Sequence, residues 1–274
     1  MLLTRHQTTQ GARWAVDGSV LPPGLTLSTL LELPRETMLQ SLTRLSAGES
    51  AAGEEAAPID PGQEVWAAGV TYLRSRDARR VESNVAGMYE RVYEAARPEL
   101  FFKSLGWRVI GNGMPIRIRR DSHWNVPEPE LVIVINRHRE IVGYCAGNDV
   151  SSRDIEGENP LYLPQAKIYN GSCALGHAIL LCEPDEINDI PIRLEIQRAN
   201  ETIFEGKTTT TVMKRTLPEL AEYLTRELDF PHGVFLMTGT CLVPGNEFTL
   251  HPGDVVLIQV GGLRIKNQVS RLNS

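Results

Sequence analysis

Two carboxylates separated by a single proline stand at the head of an apolar run: Glu128 and Glu130 in "NVPEPELVIV", residues 125–134. On a strand, side chains alternate faces, so residues i and i+2 project together, their bases roughly 7 Å apart. Pro129 would face the other way, and its missing N–H suits a strand start or an edge. Two like charges facing one space repel, so either one stays protonated or a cation lies between them. An all-oxygen site suits Mg²⁺, Mn²⁺ or Ca²⁺. Two carboxylates make a thin cage, and a third ligand is expected. Asp149 is the leading candidate, at the end of the next apolar strand in "GYCAGNDVSSRD". A hairpin through "NRHRE" would bring Glu130 and Asp149 to neighbouring positions. Taken alone, E-x-E reads more simply as two solvated residues ahead of a strand. Asp149 moves the reading toward a metal.

The elements that must position these residues are mostly strands. "EVWAAGVTY", "ELFFKS", "PIRIRR", "ELVIVIN", "IVGYCAGNDVS", "GVFLMTGTCL", "NEFTLHPGDVVLIQV" and "LRIKNQV" have strand character, with "PGD" at 252–254 as a turn. "RDARRVESNVAGMYERVYEAAR" predicts a charged helix ending before Pro98, and "LPELAEYLTREL" a short amphipathic one capped by Thr216. Few, grouped helices and many strands predict an α+β fold with a β-rich core, not a βαβ alternation. Residues 1–58 predict a small N-terminal α/β segment: strands "MLLTRH" and "ARWAVD", helices "TLSTLLEL" and "RETMLQSLTRL", then an acidic linker at 46–58. Residues 59–274 form the main domain. Phosphate-loop, dinucleotide and H-E-x-x-H motifs are absent.

A net charge of −6 argues against nucleic acid and anionic membrane as partners, though not against a small anionic substrate. The four cysteines show no metal-like spacing and read as reduced, buried thiols. The N-terminus lacks a signal-peptide layout, and no apolar stretch approaches membrane-spanning length, which predicts a cytoplasmic protein.

Taken in order, "EPELVIVI", "GYCAGNDVSSRD", the lysine of "PQAKIY" and "MTGT" resemble the fumarylacetoacetate hydrolase family, from about Asp60 to the end. "NDVSSRDIEGENPLYLPQAKIY" looks most like its branch of 2-keto-3-deoxy-pentonate (arabinonate or xylonate) dehydratases. The resemblance implies a mixed β-roll and, usually, a homodimer or a dimer of dimers. It implies Glu128, Glu130 and Asp149 as ligands of Mg²⁺ (or Mn²⁺), and Lys167 as the active-site lysine. It also implies Thr240 at the substrate carboxylate and Arg153 near the ligand. One departure bears on the reaction. The family's carbon–carbon hydrolases carry a water-activating histidine soon after a strand like "VWAAGVTY", whereas residues 69–122 here contain none. That weakens hydrolysis and fits a lyase.

The chemistry expected is dehydration of a 2-keto-3-deoxy-pentonate to 2-oxoglutarate semialdehyde. The 2-keto acid chelates the metal, C3 protons become acidic, and the C4 hydroxyl leaves. Lys167 is the first choice for proton transfer, since a lysine desolvated beside a cation can act as a base. Glu82 is a possible second acid or base on the charged helix, with Glu90 and Glu94 beside it, although such a face is more often simply solvated. Arg74 and Arg76 could grip hydroxyls or a carboxylate, or equally be surface charge, and Lys103 at the end of an apolar strand suits either a site-facing residue or a snorkelling lysine. The rivals are a hydrolase or decarboxylase of acylpyruvate-like compounds, and a non-catalytic keto-acid binder.

Overall fold

The strand Pro129–Ile135, just behind the paired glutamates, is buried at every residue, and so is its partner Ile141–Asp149. Continuous Val, Ile and Leu on both faces is the composition of a central strand covered on both sides. A computed structural model describes residues 1–9, 11–46, 48–72 and 86–272, with the backbone alone at 86–89. In it these two strands form the antiparallel centre of an eleven-stranded sheet. On one side Ile141–Asp149 pairs with Ala178–Leu181, which pairs with Leu2–Thr8 and then Gly11–Val16. On the other side Pro129–Ile135 pairs with Val234–Met237, which runs parallel to Glu64–Gly69; Glu99–Leu105 follows antiparallel.

A second sheet of five strands packs against this one through Val255–Val260, Leu263–Ser270 and Pro191–Arg198. Along Leu263–Ser270 buried and exposed residues alternate, so one face joins the core and the other meets solvent. Leu194, Ile196, Val256, Ile258 and Ile265 fill the layer between the sheets. The expected α+β, β-rich roll is therefore the observed architecture.

Helices are short. Thr216 caps Leu217–Thr225 by accepting from the Glu219 N–H, as its sequence position predicts. Residues 46–58 differ from the expected linker: Glu54–Ala56 is a short strand pairing with Arg5–Gln7. It has no apolar alternation to announce it, because it lies along a strand already covered on its buried face. Of the helix predicted before Pro98, Ala86–Glu94 is described and is helical.

Candidate metal centre

The register of the two central strands assembles the site. Gly147 faces Glu130 and Asn148 faces Pro129, which puts Asp149 beside Glu128. Asp149 therefore lies beside Glu128 across the ladder, two register positions from the Gly147–Glu130 pair, so the hairpin brings it near both glutamates. By the two-residue period all three carboxylates share a face. Pro129 has no N–H, and the Glu128 N–H is taken by the side chain of Asn148, 3.1 Å away. The strand start is thus held in register by a side chain where the ladder lacks a donor.

Glu128, Glu130 and Asp149 each offer an oxygen to one point, with all three oxygens within 4.8 Å of one another. All are buried, at 2%, 1% and 1% exposure. Three buried cations surround them. Lys167 Nζ lies 3.0 Å from Glu128 Oε2, 3.0 Å from Asp149 Oδ2 and 2.5 Å from Ser151 Oγ. Lys103 Nζ lies 2.5 Å from Asp149 Oδ1, and Arg153 Nη2 lies 2.9 Å from Glu128 Oε1. Glu130 is treated differently. Among the described residues its one hydrogen bond comes from the Gly239 N–H at 2.6 Å, and it makes no ion pair with them. Burial, reinforced by the Asp149 and Glu128 charges, pushes its carboxyl well above the usual carboxylate range, while Lys167 and the Gly239 N–H act the other way. A buried acid so placed either keeps a proton or receives a cation. The all-oxygen donor set fits a hard divalent ion such as Mg²⁺ or Mn²⁺.

The surrounding turns converge at the same end of the sheet. The chain leaves Glu64–Gly69 through Val70, a buried β-branched residue with φ +52°. Such a backbone costs on the order of 1–3 kcal/mol and is held only by its surroundings. Thr71 Oγ1 donates to the Thr238 carbonyl at 2.7 Å, and a β-carbon at Gly239 (φ +93°) would fall 2.0 Å from that Oγ1. Glycine is required there, and it is this Gly239 whose N–H reaches Glu130. Thr240 follows it, buried, accepting from the Leu242 N–H at 3.2 Å. The Tyr72 hydroxyl is buried without a hydrogen-bond partner among the described residues. Burial raises its ionisation above the ordinary value, with Cys241 and Glu130 adding to the effect.

Several expected residues thus meet: Glu128, Glu130, Asp149, Lys167, Lys103 and Arg153 form one charge cluster, with Thr240 one residue beyond the Gly239 contact. Arg153, expected near the ligand, touches Glu128 and so orients a carboxylate. Lys167 ends a short helix, Leu163–Lys167, and is buried, unlike a solvated strand lysine. Glu82, Arg74 and Arg76 lie outside the described residues. Glu90 and Glu94 are exposed, Glu94 pairing with Lys214 at 3.3 Å.

Sequence reasoning missed Ser151, Asn148, Tyr72 and Glu99. Glu99 shares a strand face with Phe101, and Lys103 follows at a bulge in the same strand. Phe101 lies under Lys167, with Nζ 5.9 Å from its ring centroid. The Glu99 carboxylate folds onto Gly69, where a β-carbon would come within 2.1 Å of Oε2. The two-residue spacing of Glu99 and Phe101, just before Lys103, was the signal available for it.

Two sheets carrying a buried, cation-ringed carboxylate triad at one sheet end define the class: a β-roll protein with a divalent-metal centre. Residues 64–270 match the fumarylacetoacetate hydrolase C-terminal family, and the chain belongs to it. Over 209 residues it is 47% identical to a probable 2-keto-3-deoxyxylonate dehydratase of Haloferax volcanii, spanning 75% of this chain and 71% of that one. It is 44% identical over 214 residues to the 2-dehydro-3-deoxy-D-arabinonate dehydratase of Saccharolobus solfataricus, spanning 75% and 70%. A solved 2-keto-3-deoxy-D-arabinonate dehydratase, complexed with magnesium and 2,5-dioxopentanoate, superposes with a TM-score of 0.84 at 33% identity, covering 100% of both chains.

Proposed function

We propose that this protein is a Mg²⁺-dependent hydro-lyase that dehydrates a 2-keto-3-deoxy-pentonate to 2-oxoglutarate semialdehyde. The observation that carries the reading is the buried triad in which Glu130 alone makes no ion pair with a described residue. The relatives named above support the substrate class, since 2,5-dioxopentanoate is the same compound as 2-oxoglutarate semialdehyde. Glu128, Glu130 and Asp149 are the residues to hold Mg²⁺, which when bound supplies Lewis acidity to the 2-keto carbonyl.

The remaining chemistry falls to side chains. Lys167, reaching both Glu128 and Asp149, is assigned proton transfer at the reacting carbons. Glu99, on the same strand as Lys103, is a second acid–base candidate beside Glu82. Arg153 and Lys103 hold the outer oxygens of Glu128 and Asp149, fixing where the carboxylates point. Thr240 is assigned to the substrate carboxylate, and Arg74 to its hydroxyls. Loss of one C3 proton and the C4 hydroxyl removes one water and leaves a C3–C4 double bond. A C5 proton then leaves as C3 is reprotonated, and the resulting C4–C5 enol gives up its hydroxyl proton as C4 gains one, forming the aldehyde with no further change in composition.

The site residues support 59–274 as the catalytic unit, with residues 1–58 adding strands to its sheet. No helix among the described residues is long and apolar enough to cross a membrane. A cytoplasmic setting is supported by four free cysteines, three of them buried. A homodimer or dimer of dimers rests on the family resemblance, and light scattering during gel filtration checks it.

The deciding assay offers 2-keto-3-deoxy-pentonate and an acylpyruvate, each with Mg²⁺ and with EDTA. The expected result is Mg²⁺-dependent semialdehyde formation, abolished by EDTA. Turnover of the acylpyruvate alone overturns the reading.

A further inference from the structure

A concavity of about 380 Å³ is walled by Arg117, Arg119, Arg120, Asp121 and Tyr169. Its arginines come from "IRIRRD", a basic run that the proposed reaction leaves unused. Arg119 is fully engaged. It grips both oxygens of Asp121 at 2.8 and 2.5 Å, donates to the Gln165 carbonyl at 3.1 Å, and lies 5.6 Å from the Tyr169 ring centroid. Arg271 binds the Arg119 and Ser122 carbonyls and adds a further positive charge nearby. Asp121 is therefore consumed by a single arginine. Arg117 and Arg120 make no side-chain hydrogen bond or ion pair among the described residues.

Three guanidiniums against one carboxylate line the concavity, a local positive excess in a chain of net charge −6. Like charges crowded around a concavity repel, and an anion between them relieves the repulsion. Guanidinium forks match the paired oxygens of carboxylate and phosphate, which a point charge cannot do. We propose that this cavity is a second anion-binding site, taking a small doubly charged anion, either a dicarboxylate or a phosphate. It shares a wall with the Lys167 helix: Arg119 holds the Gln165 carbonyl on that helix, and the Arg117 N–H donates to the Gly171 carbonyl at 3.0 Å. Among the described residues, no hydrogen bond or ion pair joins its lining to Glu128, Glu130 or Asp149, although the Asp149 charge reaches Tyr169.

Calorimetry on the Mg²⁺-loaded full chain, titrating succinate and inorganic phosphate separately, tests this. At least one anion binds, and the tighter of the two identifies the source. Arg117→Gln combined with Arg120→Gln weakens binding at least about tenfold, in line with the loss of charge-assisted hydrogen bonds. Asp121→Asn frees Arg119 and tightens binding several-fold, a gain that a misfolded protein cannot give. Lys167→Met leaves the affinity unchanged. The proposal is overturned if neither anion binds, if the double variant binds as well as the parent, or if Lys167→Met abolishes binding, which would place the anion at the metal centre.

Discussion

A lone buried acid and a buried triad of acids are satisfied in opposite ways in this molecule. Asp60, 8% exposed, ties the N-terminal segment to the main sheet using neutral donors. Its Oδ1 accepts from Trp14 Nε1 at 3.1 Å, and its Oδ2 from the Ser28 N–H at 2.7 Å and Ser28 Oγ at 2.9 Å. Gln63 Oε1 takes its N–H at 2.9 Å. Everything Asp60 needs is in the fold. The triad at the sheet end has three acids on one face, and Glu130 has a single N–H partner among the described residues. A buried acid with a complete set of donors is a structural tie. A buried acid that the fold leaves short of them marks a place for something from outside.

The sharpest way to break this contrast is Glu130→Gln. Losing a ligand removes several kcal/mol of transition-state stabilisation, so kcat falls on the order of 10³-fold or more. The fold should not suffer. Because Glu130 titrates above its unfolded value, its own contribution to the stability of the metal-free protein is fully present below the ordinary carboxylate range and is lost as pH rises through the raised value. The Tm of metal-free Glu130→Gln therefore exceeds that of the parent, by a margin that widens from acid toward neutral pH. Mg²⁺ binding to the parent releases protons, measurable by calorimetry in buffers of different ionisation enthalpy. A lower Tm for the variant at neutral pH would place Glu130 among the structural acids with Asp60.

Lys167→Met comes next. Removing a proton-transfer group costs about 10²–10⁴ in kcat. Because the triad is intact, Mg²⁺ still binds, and equilibrium dialysis reports it. Full activity in this variant would leave a keto-acid binder or a different acid–base pair. Asp60→Ala acts on stability alone. It strands buried donors on Trp14 and Ser28, costing about 2–3 kcal/mol by denaturant unfolding, with kcat of the folded protein unchanged.

The contrast also explains what could be read from the sequence. Glu128, Glu130 and Asp149 were legible because a two-residue period and one hairpin are enough to bring them together. Lys167 emerged through family resemblance only: the helix Leu163–Lys167 is five residues long, too short for a helical period. Ser151 and Asn148 serve the site through contacts set by pairing register, which no local pattern announces. Asp60 was passed over as the head of the main domain, although its donors come from residues 14 and 28. Long-range donors decide which buried acid is at rest, and they are what a single sequence hides.

The smallest effect tests the same rule at a half-buried acid. Glu140 lies in the hairpin turn joining the two central strands. Burial works against its ionised form, but the Arg35 N–H and the Asn136 amide, each 2.7 Å from Oε2, with the Arg35 and His138 charges, hold its carboxyl below the usual range. Arg35 opens the helix Arg35–Leu45, whose first turn favours a negative charge. Its folded value is depressed, so its contribution is present above the ordinary carboxylate range and is lost as pH falls through the folded value. Glu140→Gln should lower stability by about 0.3–1 kcal/mol at neutral pH, and the deficit should vanish in acid. The Glu130→Gln difference also closes in acid but has the opposite sign at neutral pH. Paired Tm measurements across pH would show the two differences parting as the carboxyls ionise. If both ran in the same direction, the supply of donors would not be what separates a resting buried acid from a reactive one.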